Sequence, residues 1–312
     1  MSDAKELRNL IATEGAAVSR NTKGFNQGRY ESTGRLDDYE GMKQEARAIK
    51  ADAIERLPDL IDQLRETVED NGGTLYIADD AEDANDYVRE VVADREAQRV
   101  VKSKSMTSEE IEVNEALEED GVDVVETDLG EWVLQVADEA PSHIVAPAIH
   151  KSHEAIADLF NERFDPEEPL ETAEELTTFA RNQLGDLIED AEVGMTGANF
   201  ITADTGTMAL VTSEGNARKT VAATDTQIAV AGVEKVVPSV EDLQPFVELI
   251  GRSGTGQDIT SYISLFTLPV GTPTVDFDDD ETPLSELSTD RDFHLVLIDN
   301  GRMAMRDDDD LR

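Results

Sequence analysis

The 312-residue sequence contains no cysteine. Disulfides, thiolate zinc sites, cysteine nucleophiles and cysteine-held iron–sulfur clusters are therefore excluded from this chain. Basic residues are scarce. Lys and Arg number 27 against 70 Asp and Glu, for a formal charge of −43, and only nine of the 27 are Lys. Such a surface repels nucleic acid and anionic membranes, so neither is expected as a partner. Aromatic residues make up 5%, which leaves Val, Ile, Leu and Ala to build a core. No apolar run reaches the ~18 residues of a membrane span, and the amino terminus has no apolar signal segment. A cytoplasmic location is expected.

High charge with few aromatics is also a signature of disorder. Here the acidic residues are spread over helical patterns that alternate with short apolar strands, and the length suffices for a sizeable core. The pattern predicts a folded α/β protein adapted to high salt, where a Debye length of about 3 Å at molar concentration screens the self-repulsion.

The order of elements supports this class. A short helix is expected at 3–12, followed by an irregular arm, and then a helical pattern from Tyr39 to Val68 that Pro58 breaks. Strands are expected at 75–78, 99–101, 122–126 and 143–146. Helices are expected at 82–93, from a cap at Thr107 or Ser108 to Gly121, and at 129–137, 152–160 and 171–190. Strands separated by helices of this length imply a mostly parallel sheet covered on both faces.

From Gly194 to Gly232 the chain is nearly free of net charge and rich in small residues. It reads as strands at 197–203, 207–212, 219–223 and 227–231, with a hairpin-like turn at 203–207 that makes the sheet mixed. Ser239 caps a helix over 240–250. Strands at 262–268 and 293–298 flank a charged excursion at 276–291. Residues 1–70 are read as an arm and helical extension, 71–303 as the α/β domain and 304–312 as an acidic tail.

Several polar clusters fall where strands end. Lys102-Ser103-Lys104-Ser105-Met106 lies between a strand and a helix, a place that suits an anion and equally a helix cap. Glu126-Thr127-Asp128 follows another strand, either to cap a helix or to act as acid, base or metal ligand. His150 and His153 are three apart, but without Cys or an H-E-x-x-H pattern no metal site is expected. His150, at a strand end, is the better candidate for proton handling. Asp204 with Thr205, Gly206 and Thr207 can form a nucleophilic or basic site or simply a tight turn. Asn216 and Arg218 follow a Glu-Gly turn, and Arg218 can hold a carboxylate with two prongs. Ser253-Gly254-Thr255-Gly256 lacks the spacing of a nucleotide loop.

Five of these stretches, in order, resemble one family. K-S-K-S-M-T-S-E-E-I, E-T-D-L-G-E-W-V-L-Q, P-S-H-I-V-A-P-A-I-H, G-M-T-G-A-N-F-I-T-A-D-T-G-T-M-A-L-V-T-S-E-G-N-A-R and G-V-E-K-V-V-P-S-V-E-D-L together are similar to the lactate-utilisation family, LutB type, whose main domain is called LUD. The agreement runs from about residue 40 to Arg302. The resemblance implies a three-layer α/β/α fold of the NagB/RpiA/CoA-transferase-like kind, and the helical pattern read before residue 71 is an N-terminal extension to it that favours the LutB type over the LutC type, which has the LUD domain alone. The resemblance also implies a part in oxidising L-lactate to pyruvate within a multi-subunit complex that includes an iron–sulfur protein. Members of this type continue into a Cys-rich ferredoxin-like segment. For this chain the clusters are expected on a partner subunit or on a segment outside the sequence.

On this reading Lys102, Lys104 and Arg218 neutralise a small carboxylate such as lactate. Ser105, Thr205, Gly206, Thr207 and Asn216 complete its site, and His150 or Asp204 handles the proton. All of these are expected to converge at one sheet edge. The alternatives are a stand-alone acyl- or CoA-transferase-like or sugar-phosphate isomerase-like enzyme with Asp204 as nucleophile or base, and a purely structural assembly domain. An oligomer is compatible with the sequence.

Overall fold

The computed structural model describes residues 26–139, 151–212, 215–254, 262–269 and 291–308, with single positions at 19, 23, 24, 148 and 256. The expected helix at 3–12 and strand at 143–146 lie outside these residues, as does the excursion at 276–291 apart from Arg291. The chain forms two units, one of residues 1–40, 129–183 and 248–260, the other of 41–128, 184–247 and 261–312.

The smaller unit contains α1 over 26–33, within the stretch expected to be irregular. It also contains α7 (Leu129–Ala137) and α8 (His153–Phe164). Trp132, Phe160, Phe164 and Phe179 pack there with ring centroids 5.2 to 5.8 Å apart, so a third of the chain's scarce phenylalanines serve one small core. Phe179 belongs to α9 (Ala173–Glu189), which carries the chain back to the larger unit.

In the larger unit α2 (Tyr39–Glu55) and α3 (Leu57–Asp70) divide where expected, with Pro58 in the first turn of α3, a position that lacks an intrahelical N–H partner in any case. Six strands follow: β1 (Thr74–Ala78), β2 (Arg99–Lys102), β3 (Asp123–Glu126), β4 (Val193–Gly197), β7 (Thr226–Gly232) and β10 (Asp292–Ile298). They make a parallel sheet in the order β1-β10-β7-β4-β2-β3. Every residue of β4 and β7 is buried, as central strands covered on both faces require.

Alternation along the strands assigns the two faces. Leu75, Ala229, Ala231, Leu295 and Leu297 pack with Leu60, Leu64 and Val68 of α3 and with Ala217 and Val221 of α10 (Asn216–Ala223). Val100, Val124, Val193, Met195, Ile228, Val230 and Val296 pack on the opposite face. Their partners are Val88 and Val92 of α4 (Ala81–Asp94) and Val113 and Leu117 of α6 (Val113–Glu119). The result is three layers, α/β/α.

Two expectations are corrected here. The antiparallel component is not an edge of the main sheet. It is a separate four-stranded sheet, β8-β5-β6-β9, made of β5 (Phe200–Thr202), β6 (Thr207–Thr212), β8 (Val236–Val237) and β9 (Tyr262–Phe266). Residues 197–203 therefore contribute to two strands in two sheets. Asn199 marks the break, its Oδ1 accepting from the Val211 N–H at 2.8 Å. Second, 219–223 is not a strand but the end of α10. Gly215 enters that helix at φ 79, and Ala217 and Val221, four apart, bury one helical face. The helix expected from Ser239 begins as a 3-10 turn at Glu241–Leu243 and continues as α11 (Gln244–Gly254).

Candidate functional site

β2 and β4 are neighbours whose chains leave in opposite directions. β2 continues outward through α5 (Met106–Glu110) and α6 to β3, and β4 continues inward through the second sheet and α10 to β7. The connections cover opposite faces, so the sheet has a switch point between the carboxyl ends of β2 and β4, where open α/β sheets bind ligands.

Lys102 ends β2 and is in register with Glu126, which ends β3. Both point to the α6 face, as Val100 and Val124 do. The Lys102 Nζ lies 2.7 Å from Glu126 Oε1 and donates to Ser108 Oγ at 3.3 Å, and Asn114 of α6 donates to the same Oε1 at 2.8 Å. Lys102 is 1% exposed. Its charge is thus committed to Glu126 beneath the α5–α6 layer, and a ligand carboxylate would have to displace Glu126 to reach it.

The loop after Lys102 is held from both sides. The Ser103 N–H donates to the Met195 carbonyl at 3.0 Å. Ser105, not Thr107 or Ser108, caps α5: its Oγ accepts from the Ser108 N–H at 3.2 Å, while Ser108 Oγ donates to the Ser105 carbonyl at 2.8 Å. A Cβ on Gly197, the last residue of β4, would lie 2.6 Å from Ser105 Oγ and 2.8 Å from its Cβ. Only glycine lets the loop close down on the strand here.

Around this loop stand the groups that solvent can reach. Asp128 Oδ2 accepts from the Lys104 N–H at 2.7 Å and from Asn216 Nδ2 at 2.8 Å, and Asn216 also donates to Thr127 Oγ1 at 3.2 Å. Burial pushes the Asp128 carboxyl up from its ordinary value and the Glu126 charge adds to the rise. The hydrogen bonds from Lys104 and Asn216 and the Lys104 charge oppose it. Lys104 is half-buried, and Arg218 is exposed in the first turn of α10. The structure therefore gathers Lys102, Lys104, Ser105 and Asn216 at one place. Of their surroundings, the bonding of Asp128 and the parts of Ser108 and Asn114 come from helix side chains meeting the ends of strands and the residues after them, which no local pattern signals.

Asp204, Thr205, Gly206 and Thr207 are not brought to this place. Their turn is tied to the end of α3: Thr67 Oγ1 donates to the Ala203 carbonyl at 3.0 Å and Asn71 Nδ2 to the Thr205 carbonyl at 3.1 Å. α3 feeds directly into the start of β1, so the turn sits at the amino edge of the parallel sheet, opposite Lys102. Thr202, Thr205, Thr207 and Thr267 form a hydroxyl chain with spacings of 2.7 to 2.8 Å, and Asp204 is exposed. The expectation that all the polar turns share one edge fails because β5 carries the chain back down the molecule before β6 returns it. His150 lies outside the described residues.

A second polar network lies at the carboxyl ends of β7 and β10. Arg302, opening α12 (Arg302–Arg306), grips Glu110 with both terminal nitrogens at 2.6 and 3.0 Å and contacts Glu234 through Nε at 2.8 Å. Asn300 adds a bond to Glu110 at 2.7 Å, and the Arg302 guanidinium holds the Glu110 carboxyl below its usual range. A Cβ on Gly232 would collide with the Glu234 carboxylate and lie 2.8 Å from Arg302 Nε. α5 is thereby fixed at its far end by Glu110 and at its near end by Ser105.

Among the described residues no group of three or more His, Asp or Glu is placed to hold a metal ion. With no Cys in the sequence, the donor set does not fit an iron–sulfur cluster.

Comparison with known proteins places this site in context. The model of the LUD domain matches residues 61–298. Lactate utilization protein B of Oceanobacillus iheyensis is 41% identical over 286 residues, covering 92% of this chain and 57% of that protein. The proteins of the same name from Shouchella clausii and Bacillus subtilis are 45% and 42% identical, covering 86% and 92% of this chain and 54% and 57% of theirs. This chain thus spans less than three fifths of the length of those relatives. A crystal structure of a DUF162 family protein from Deinococcus radiodurans aligns with 78% of this chain and 98% of its own at 12% identity and a TM-score of 0.37, too slight a likeness to argue from.

Proposed function

The chain belongs to the LUD-domain family, and on that premise we propose that it serves lactate utilisation as the LUD-domain subunit of an L-lactate-oxidising complex. In this reading it binds a small carboxylate at the carboxyl edge of the sheet, and the two electrons released when lactate becomes pyruvate pass to iron–sulfur centres held outside this sequence. The observation that carries the reading is the gathering of Lys104, Asp128 and Asn216 around the β2–α5 loop, at the switch point between β2 and β4.

Cationic and amide groups there offer a carboxylate charge and donors in a chain whose overall field repels anions. Lys104 supplies charge beside the ligand and Arg218 a second cation on the rim, while Lys102 acts from behind by holding Glu126 and Ser108. The matched relatives are named for lactate utilization, which supports lactate as the carboxylate.

Calorimetry with lactate, together with lactate-dependent dye reduction by the complex recovered from the source cells, tests the reading. Lys104→Ala and Arg218→Ala should weaken both binding and turnover. Unchanged binding and turnover in both variants would remove the carboxylate site. Acyl-CoA turnover by the purified chain with no redox partner would favour the transferase-like alternative instead.

A further inference from the structure

We propose that Asp128 reads the oxidation level of the ligand, accepting a hydrogen bond from the hydroxyl of a 2-hydroxy acid and turning away the matching 2-oxo acid. The proposal rests on the reading of the carboxyl edge as a carboxylate site.

The geometry of Asp128 differs from that of a surface carboxylate. One oxygen, Oδ2, is fixed by two donors from different elements, the Lys104 N–H at 2.7 Å and Asn216 Nδ2 at 2.8 Å. The other, Oδ1, has no partner among the described residues. The group is thus held in one orientation with one acceptor left over, which is how a selective contact is preorganised. Among the described residues the charges that act on it are Glu126 from the end of β3 and Lys104 from the β2–α5 loop, while α10 adds the neutral Asn216 beside it and the exposed Arg218 in the same first turn. Lys102 is spent on Glu126.

The Lys104 charge acts on Asp128, so in this proposal a ligand carboxylate drawn to Lys104 turns its 2-substituent, on the adjacent carbon, toward Asp128. A hydroxyl there both donates and accepts, and a ketone only accepts. Against an ionised carboxylate, which only accepts, the hydroxy acid gains a charge-assisted bond and the oxo acid sets acceptor against acceptor. Against a protonated carboxyl the oxo acid finds a donor. Burial and the Glu126 charge raise the titration of Asp128 above its ordinary value, which moves this exchange of roles to higher pH than a surface aspartate would show.

The test is calorimetry of the full chain with lactate and with pyruvate from acidic to neutral pH, over the range in which the chain stays folded by circular dichroism. The expected result is a preference for lactate over pyruvate that grows about tenfold as Asp128 ionises, and a Asp128→Asn variant whose preference is flat with pH. Asn216→Ala, which removes a bond favouring the ionised form, should move the transition to higher pH. A wild-type preference independent of pH overturns the proposal, and so does a folded Asp128→Asn variant that keeps the wild-type profile. If Asp128→Asn does not fold by circular dichroism, the wild-type profile and the Asn216→Ala shift decide. If neither acid binds the wild type, the carboxylate-site reading itself has failed and the proposal with it.

Discussion

Lys102 and Glu126 stand side by side at the last ladder position of β2 and β3, their ammonium and carboxylate 2.7 Å apart and their side chains only 2% and 10% exposed. A pair this deep loses hydration on both ions, so what matters is the consequence of breaking it. Lys102→Met leaves Glu126 buried with its countercharge gone, and Glu126→Leu does the same to Lys102. Each single change should cost about 3–5 kcal/mol in urea unfolding, and the double change Lys102→Met with Glu126→Leu should recover most of it. Additive losses in the double variant would show that the two act independently.

The opposite placement of the two polar regions gives a direct comparison. Asp204 is exposed in its turn, so Asp204→Ala should change stability by less than ~0.5 kcal/mol and leave lactate binding as it was. Asn216→Ala removes the amide that bonds both Asp128 and Thr127 and should weaken binding severalfold. A loss of binding or turnover confined to Asp204→Ala would move the functional site to the amino edge of the sheet.

Much of this was legible in the sequence, and the failures share a cause. The buried runs Arg99–Lys102 and Thr226–Gly232 announce themselves by composition, and Pro58 marks the break between α2 and α3. Residues 219–223 misled because Thr and Val favour strands in isolation, whereas the contact of Ala217 and Val221 with the sheet selects a helix. The register that sets Lys102 against Glu126, and the direction in which β5 carries Asp204, depend on residues far away in sequence. No local pattern contains that information.

A pH effect separate from the carboxyl edge is expected at His294. Its Nδ1 lies 2.8 Å from the Tyr87 hydroxyl, and the Tyr87 ring stacks on Tyr76 at 4.0 Å. Burial, and then the charge of Arg95, hold the imidazole below its ordinary value. The unfolded chain therefore takes up this proton more readily than the folded one. The stability it contributes is complete above the unfolded value of about 6.5 and is lost as pH falls from there through the folded value. Urea midpoints of the wild type should drop over that window more steeply than those of His294→Gln. Parallel curves would contradict this.

Salt should govern folding of the whole chain. At a net charge of −43, repulsion acts over about 30 Å in 0.01 M salt and about 3 Å in 1 M. Far-UV circular dichroism should show helix content and melting temperature rising as KCl is added up to molar concentration. Full folding without added salt would argue against adaptation to a saline interior.

The position of β10 has a consequence for how the molecule is made. β10 lies between β1 and β7, and among the described residues β1 has no other neighbour in the sheet. During synthesis β1 emerges early, yet its partner follows more than two hundred residues later. Until then the four strands β7-β4-β2-β3 can pair with one another, while β1, already synthesised, has no place in the sheet. Closing so distant a pairing is slow and exposes backbone to wrong partners in the meantime. Any sheet formed before Asp292–Ile298 is synthesised would have β7 as its margin, and only that last strand can bring β1 into it.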